Sequence, residues 1–155
     1  MQLTKNFHLS ELTRSQVAAR YGINNRPNAK QTKNLLKVCE HILQPVRDNF
    51  KKPVVVSSGY RSPQVNARIG SNGTSQHCLG QAADFEIPGV SNEEVARWIK
   101  QNLDYDQLIL EYWDGKTPNS GWIHCSYVST NRQQAMVYDG RGYINWSEIK
   151  VNTAA

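Results

Sequence analysis

Ser75-Gln-His77-Cys-Leu-Gly80-Gln-Ala82-Ala-Asp84-Phe-Glu-Ile87 joins a glycine-bearing turn to a run that alternates like a strand. Successive strand side chains point to opposite faces, so Ala82, Asp84 and Glu86 share one face, and Ala83, Phe85 and Ile87 the other. The second face is apolar and predicts burial against a core. The first carries a carboxylate with only a methyl group, Ala82, beside it. Gly80 permits the sharp turn that sets His77 ahead of the strand. An imidazole and a carboxylate are thereby brought toward one point.

Further strands are expected outward from this segment. Pro53-Val-Val-Val-Ser57 is a β-branched run that reads as a core strand, and two more strands lie near 107–112 and 122–127. Asp139-Gly140 predicts a hairpin turn between a strand over 135–138 and a last one around Tyr143. The segment 70–74 reads as a loop. The helices come mostly earlier. Thr13-Arg-Ser-Gln16 has capping-box form and Gly22 supplies a stop, giving a helix near 14–21. Asn28 caps a longer helix with Leu35, Leu36, Val38, Cys39, Ile42, Leu43 and Val46 at helical spacing, and Pro45 predicts a kink late in it. Ser91-Asn-Glu-Glu94 opens another helix, through about Asn102. Helices first and strands later predict an α+β fold, a small and mostly antiparallel sheet with helices packed on one side.

The chain has 155 residues, 39% hydrophobic and 20% charged, which predicts one globular domain over 1–155. Nothing approaches the 18 or so apolar residues of a membrane span, and the first ten residues lack the apolar core of a secretory signal. A protein made in the cytoplasm and a monomer are the expectations. The odd cysteine count, Cys39, Cys78 and Cys125 with no CxxC, argues against a disulfide framework. Cys39 falls on the apolar helical stripe and reads as a buried thiol. Net charge is uneven: residues 1–52 hold ten Lys/Arg against three Asp/Glu, and residues 53–155 hold eight against ten. The basic charges are scattered, which predicts a solvated helical face, and no nucleic-acid motif accompanies them.

A second informative segment is Trp122-Ile-His124-Cys-Ser126. Alternation puts Trp122, His124 and Ser126 on one face and turns Cys125 toward the core. If this face meets that of Asp84, then His77, Asp84 and His124 form a His₂Asp set with a fourth position free for water. Three N/O ligands and an open position are the arrangement of catalytic zinc.

The string SxHxxGxAxD, here Ser75, His77, Gly80, Ala82 and Asp84, resembles the signature of zinc D-Ala-D-Ala carboxypeptidases. Ser58-Gly-Tyr-Arg61-Ser-Pro-Gln-Val-Asn66 precedes it and Trp122-Ile-His124-Cys-Ser126 follows, in that family's order. The likeness runs from about Phe7 to Tyr143 and is closest to short phage and prophage peptidoglycan peptidases. It implies a Hedgehog/DD-peptidase-like fold and a zinc metallopeptidase that hydrolyses a stem-peptide bond by a metal-activated water. The bond is of D-Ala-D-Ala carboxypeptidase or L-Ala-D-Glu endopeptidase type. His77, Asp84 and His124 would be the Zn²⁺ ligands, and Arg61 would engage substrate or transition-state oxygens with its forked donors. Ser75 and Ser126 are candidates for contacting substrate or orienting ligands. Such an enzyme would stay in the cytoplasm until lysis or travel in a virion before reaching the wall.

The chain departs from the family pattern at one place. Relatives carry a catalytic carboxylate three residues before the second His, or a His two before it; here Gly121 and Trp122 stand there, and neither moves a proton. Glu111, ending the preceding strand, is the expected general acid/base, with Glu86 a distant alternative. Loss of the usual acid also admits a metal-binding module without hydrolysis.

Overall fold

The computed structural model describes residues 1–71, 74–117 and 119–146. Of the loop expected over 70–74, Asn72 and Gly73 lie outside the described residues. Strands β1 (Gln2–Thr4) and β2 (Phe7–His8) make a small hairpin ahead of helices α1 (Leu9–Thr13), α2 (Gln16–Tyr21) and α3 (Ala29–Val38). A π-helical stretch, Cys39–Leu43, leads directly into α4 (Gln44–Phe50). Then come β3 (Val55–Ser58), α5 (Pro63–Arg68), a 3₁₀ turn (Gln76–Leu79), β4 (Ala82–Glu86) and α6 (Asn92–Asn102). The chain finishes with β5 (Gln107–Glu111), β6 (Trp122–Ser126), β7 (Gln134–Tyr138) and β8 (Tyr143–Asn145).

The main sheet has the order β3-β4-β6-β5-β7-β8. Only β5 and β7 run parallel, as the α+β expectation requires. Alternation gives the sheet two unlike faces. Ala83, Phe85, Leu108, Leu110, Ile123 and Cys125 are all fully buried in the core. Leu12, Leu35, Ile42, Val46 and Ile99, from α1, α3, the π stretch, α4 and α6, pack into that core with them. Each large aliphatic side chain so buried contributes about 1.5–3 kcal/mol. The opposite face holds Asp84, Ile109, Glu111 and His124, and lies open to clefts. Val17 of α2 and Val65 of α5 border one of those clefts.

One local expectation needs correction. Thr13 does not cap the helix ending at Gly22. It closes α1, whose capping box is His8 with Glu11, and its hydroxyl donates to the Leu9 carbonyl. Ser15 caps α2 instead, accepting from the Ala18 N–H. At Pro45 the helical path continues from α3 through the π stretch into α4. The Gln44 N–H reaches back five residues to the Cys39 carbonyl, and this widened turn precedes a proline that cannot donate at all.

Candidate metal centre and its cleft

Antiparallel pairing of β4 with β6 sets Asp84 directly opposite His124. His77 arrives on the 3₁₀ turn, where the Ser75 hydroxyl accepts from the His77 N–H at 3.2 Å. The His77 ring is nearly inaccessible to solvent, and its Nδ1 lies 2.7 Å from the Gly59 carbonyl oxygen. A carbonyl can only accept, so Nδ1 carries the proton and Nε2 of the neutral ring presents a lone pair. That lone pair faces Asp84 Oδ1 at 3.2 Å, and His124 Nδ1 stands 2.9 Å from the same oxygen. Gly59 is needed for this: a Cβ there would overlap the Leu12 carbonyl oxygen, where β3 ends against α1. The Tyr60 N–H donates to that same oxygen at 2.7 Å.

Burial holds His77 below the ordinary histidine range, against the pull of Asp84, and so favours the neutral ring. Burial alone would raise Asp84, but its two histidine neighbours outweigh that and hold it well below the usual carboxylate range. A neutral imidazole nitrogen and a carboxylate oxygen, both acceptors, therefore face each other in a buried site. Such a pair calls for a cation between them. One donor atom from each of His77, Asp84 and His124 lies within 4.8 Å of the others, so the group could hold a metal ion. Two imidazoles and one carboxylate suit zinc among the divalent metals.

Arg61 and Glu111 border the same cleft, of about 800 Å³, as the three convergent residues. The Arg61 N–H donates to the His77 carbonyl at 3.1 Å. Asn25 pins its neighbours, donating to the Tyr60 carbonyl and accepting from the Ser62 N–H. Arg61 Nε is buried with no partner among the described residues, so part of its donor fork is unspent. Glu111 lies opposite Trp122 in the β5–β6 ladder, two pairs beyond Ile109 and His124 and so on the same face. Burial raises its pKa above the ordinary glutamate value, with His124 opposing and Asp84 reinforcing the shift. Gly121 explains why no acid precedes His124. It adopts φ +67°, and a side chain there would run into the Glu111 carbonyl oxygen.

Two candidates fall away from the centre. Ser126 is fully buried, and its hydroxyl accepts from the Gln107 N–H at 3.0 Å, so it serves the sheet and not substrate. Glu86 is exposed and accepts from Asn92 Nδ2 at 3.0 Å, outside the cleft. The three thiols are free and buried, Cys125 in the core as alternation predicts and Cys39 with its pKa pushed up to about 12 by burial.

A group that sequence reasoning missed supports the His77 turn. Buried Asp106 accepts a bidentate pair from Arg132, at 2.9 and 2.7 Å, and a hydrogen bond from Gln76 Nε2 at 2.8 Å. These residues are 26 and 30 positions apart, so no local pattern announces them. The Arg132 hydrogen bonds hold the Asp106 carboxyl at about 2. A depressed folded pKa gives stability that is present above the unfolded value and lost as pH falls from about 4 to about 2. Asp106→Asn should thus lower neutral-pH stability by about 2 kcal/mol and flatten that part of the acid limb, measured by urea unfolding across pH. An unchanged acid limb would assign it to other carboxylates.

Residues 5–126 match the family described as Peptidase M15. No curated protein matches the chain.

Proposed function

We propose that this chain, which belongs to the peptidase M15 family, is a zinc peptidase that hydrolyses a peptide bond in peptidoglycan stem peptides. Family membership makes it a metallopeptidase acting on a peptide substrate; zinc, the wall substrate and the residue roles are our reading. What carries the reading is the buried pair of facing acceptors, His77 Nε2 and Asp84 Oδ1, completed by His124 Nδ1. A non-catalytic module would need the metal group alone. A carboxyl group with raised pKa, Glu111, and an Arg61 Nε–H with no partner among the described residues lie on the same cleft and favour catalysis.

His77, Asp84 and His124 would hold the ion. Zinc in such a set acidifies a water and polarises a carbonyl. Glu111 accepts the water's proton and passes it to the departing amine; its raised pKa suits both transfers. Arg61 directs its donors to the carbonyl oxygen as negative charge develops there. Gly59 fixes the His77 tautomer, and Ser75 holds the turn that carries it. Access to the wall after lysis or from a virion belongs to the same proposal.

The deciding experiment is mass spectrometry of peptidoglycan digested by the zinc-loaded protein. New amine termini within stem peptides, lost on chelation and restored by zinc, are expected; an intact digest at saturating zinc would overturn the reading. Arg61→Ala should keep zinc and the fold yet lose turnover. Arg61→Lys should recover little of it, because an ammonium cannot present the fork. Wild-type turnover in Arg61→Lys would reduce the residue's role to simple charge.

A further inference from the structure

The open face of the sheet carries more than one cleft, and both reach the metal group. One, of about 730 Å³, lies over β3 and β4 between α2 and α5, bordered by Val17, Val56, Ser58 and Val65. The other, already described, runs over β5, β7 and β8, bordered by Ile109, Glu111, Tyr138 and Tyr143. They share Arg61, Ile69, Asp84 and Trp122. In the strand order β3-β4-β6-β5-β7-β8, the metal group on β4 and β6 therefore has walled space on each side. Among the described residues, both clefts run on beyond the metal group.

The dimensions follow from the sheet. Six strands span five inter-strand gaps, about 24 Å at about 4.8 Å each, enough for about seven extended residues. The metal group sits nearer the β3 edge, so about two residues fit on that side and four or five on the other. The longer side is floored by aromatic rings. Tyr112, Trp122, Tyr138 and Tyr143 touch in sequence, with centroids 5.2, 5.2 and 4.8 Å apart for Tyr112–Trp122, Tyr112–Tyr138 and Tyr138–Tyr143. Tyr112 is held at φ +55°, a conformation few non-glycine residues adopt, by its N–H bond to the Tyr138 carbonyl. Its ring is half exposed there, and that of Tyr143 more so. Ring faces of this kind accept apolar side chains or C–H faces along a bound chain. Of the arginines in the two clefts, Arg132 is committed to Asp106, Arg14 is exposed at the rim of the shorter cleft, and Arg61 stands at the metal group where the two clefts meet, not at the far end of either.

We propose that the substrate lies across the whole sheet face and that the bond cut is internal to the peptide, not the one releasing its last residue. The inference rests on the peptidase reading and specifies its substrate. The chemistry is ordinary hydrolysis: the C–N bond breaks, water's OH goes to the carbonyl carbon and its proton to the amine.

Binding and cleavage test it separately. The binding probe is acetyl-L-Ala-γ-D-Glu-L-Lys-D-Ala-D-Ala-amide, blocked at both ends, with the zinc-loaded Glu111→Gln protein observed by NMR. Shifts are expected on both sides of the metal group, at the Val17 and Val65 methyls and at Ile109 and the Tyr143 ring. Shifts confined to one side, or no binding, overturn the inference whether or not the wild type hydrolyses anything. For cleavage by the wild type, amidation of the C-terminus should change the rate by less than about threefold. Arg14→Ala should affect free and amidated peptides alike. Release of a single terminal residue, with a loss of about 10²-fold on amidation as expected when a carboxylate loses its cation, would overturn the inference and leave the metallopeptidase reading standing.

Discussion

Alanine at His77, Asp84 or His124 is expected to abolish stoichiometric zinc binding. Removing even an outer partner of a metal ligand commonly costs about 10–100-fold in affinity, and removal of the ligand itself should exceed that. The three are not equivalent in the metal-free protein. Asp84→Ala takes the acceptor from His124 Nδ1 and removes the carboxylate facing the His77 lone pair, whereas His77→Ala opens a cavity beside the Gly59 carbonyl and strands that acceptor. His77→Ala should therefore lower the melting temperature of the apo protein most. Metal analysis after dialysis, paired with calorimetry, checks both statements; full zinc in any two of the variants would remove the assignment. Affinity should also weaken in acid, because protons compete for the same lone pairs. The buried His77 resists that competition to a lower pH than a free histidine does.

Glu111→Gln should turn over at least about 10²-fold more slowly while binding zinc normally and melting within a few degrees of wild type. The amide preserves size, and its carboxylate predecessor is half-buried, so the loss isolates proton transfer. If the acidic limb of the pH–rate profile reports this group, the limb should vanish with it. Burial places that limb above the ordinary glutamate range. Glu86→Gln, whose side chain meets Asn92 outside the cleft, should remain active. Normal turnover by Glu111→Gln would mean that the proton goes elsewhere.

Much of the fold was legible because it rests on short-range rules. Ser91, Asn28 and Gly22 cap helices where their side chains or backbone freedom predict, and strict alternation in β4 and β6 separates Asp84 and His124 from Phe85 and Cys125. The metal group followed from two such strands and one turn, so its members could be named before their distances were known. The supporting partners could not. Gly59 serves His77 across 18 positions, and Asp106 reaches both Gln76 and Arg132 through the tertiary fold. A carbonyl acceptor leaves no mark in the sequence at all, since every residue has one. Thr13 misled for a different reason: two overlapping capping patterns compete there, and the box of His8 with Glu11 wins the first turn.

The contact between Gly121 and the Glu111 carbonyl bears on how such enzymes can be recombined. A segment swap that imports, from a relative, the stretch before the second histidine together with its acid would place a side chain where this backbone has no room. The graft would push the end of β5 away and carry Glu111 with it. On the reading that Glu111 is the acid, such a swap must move the end of β5 and the entry to β6 together, as one cassette.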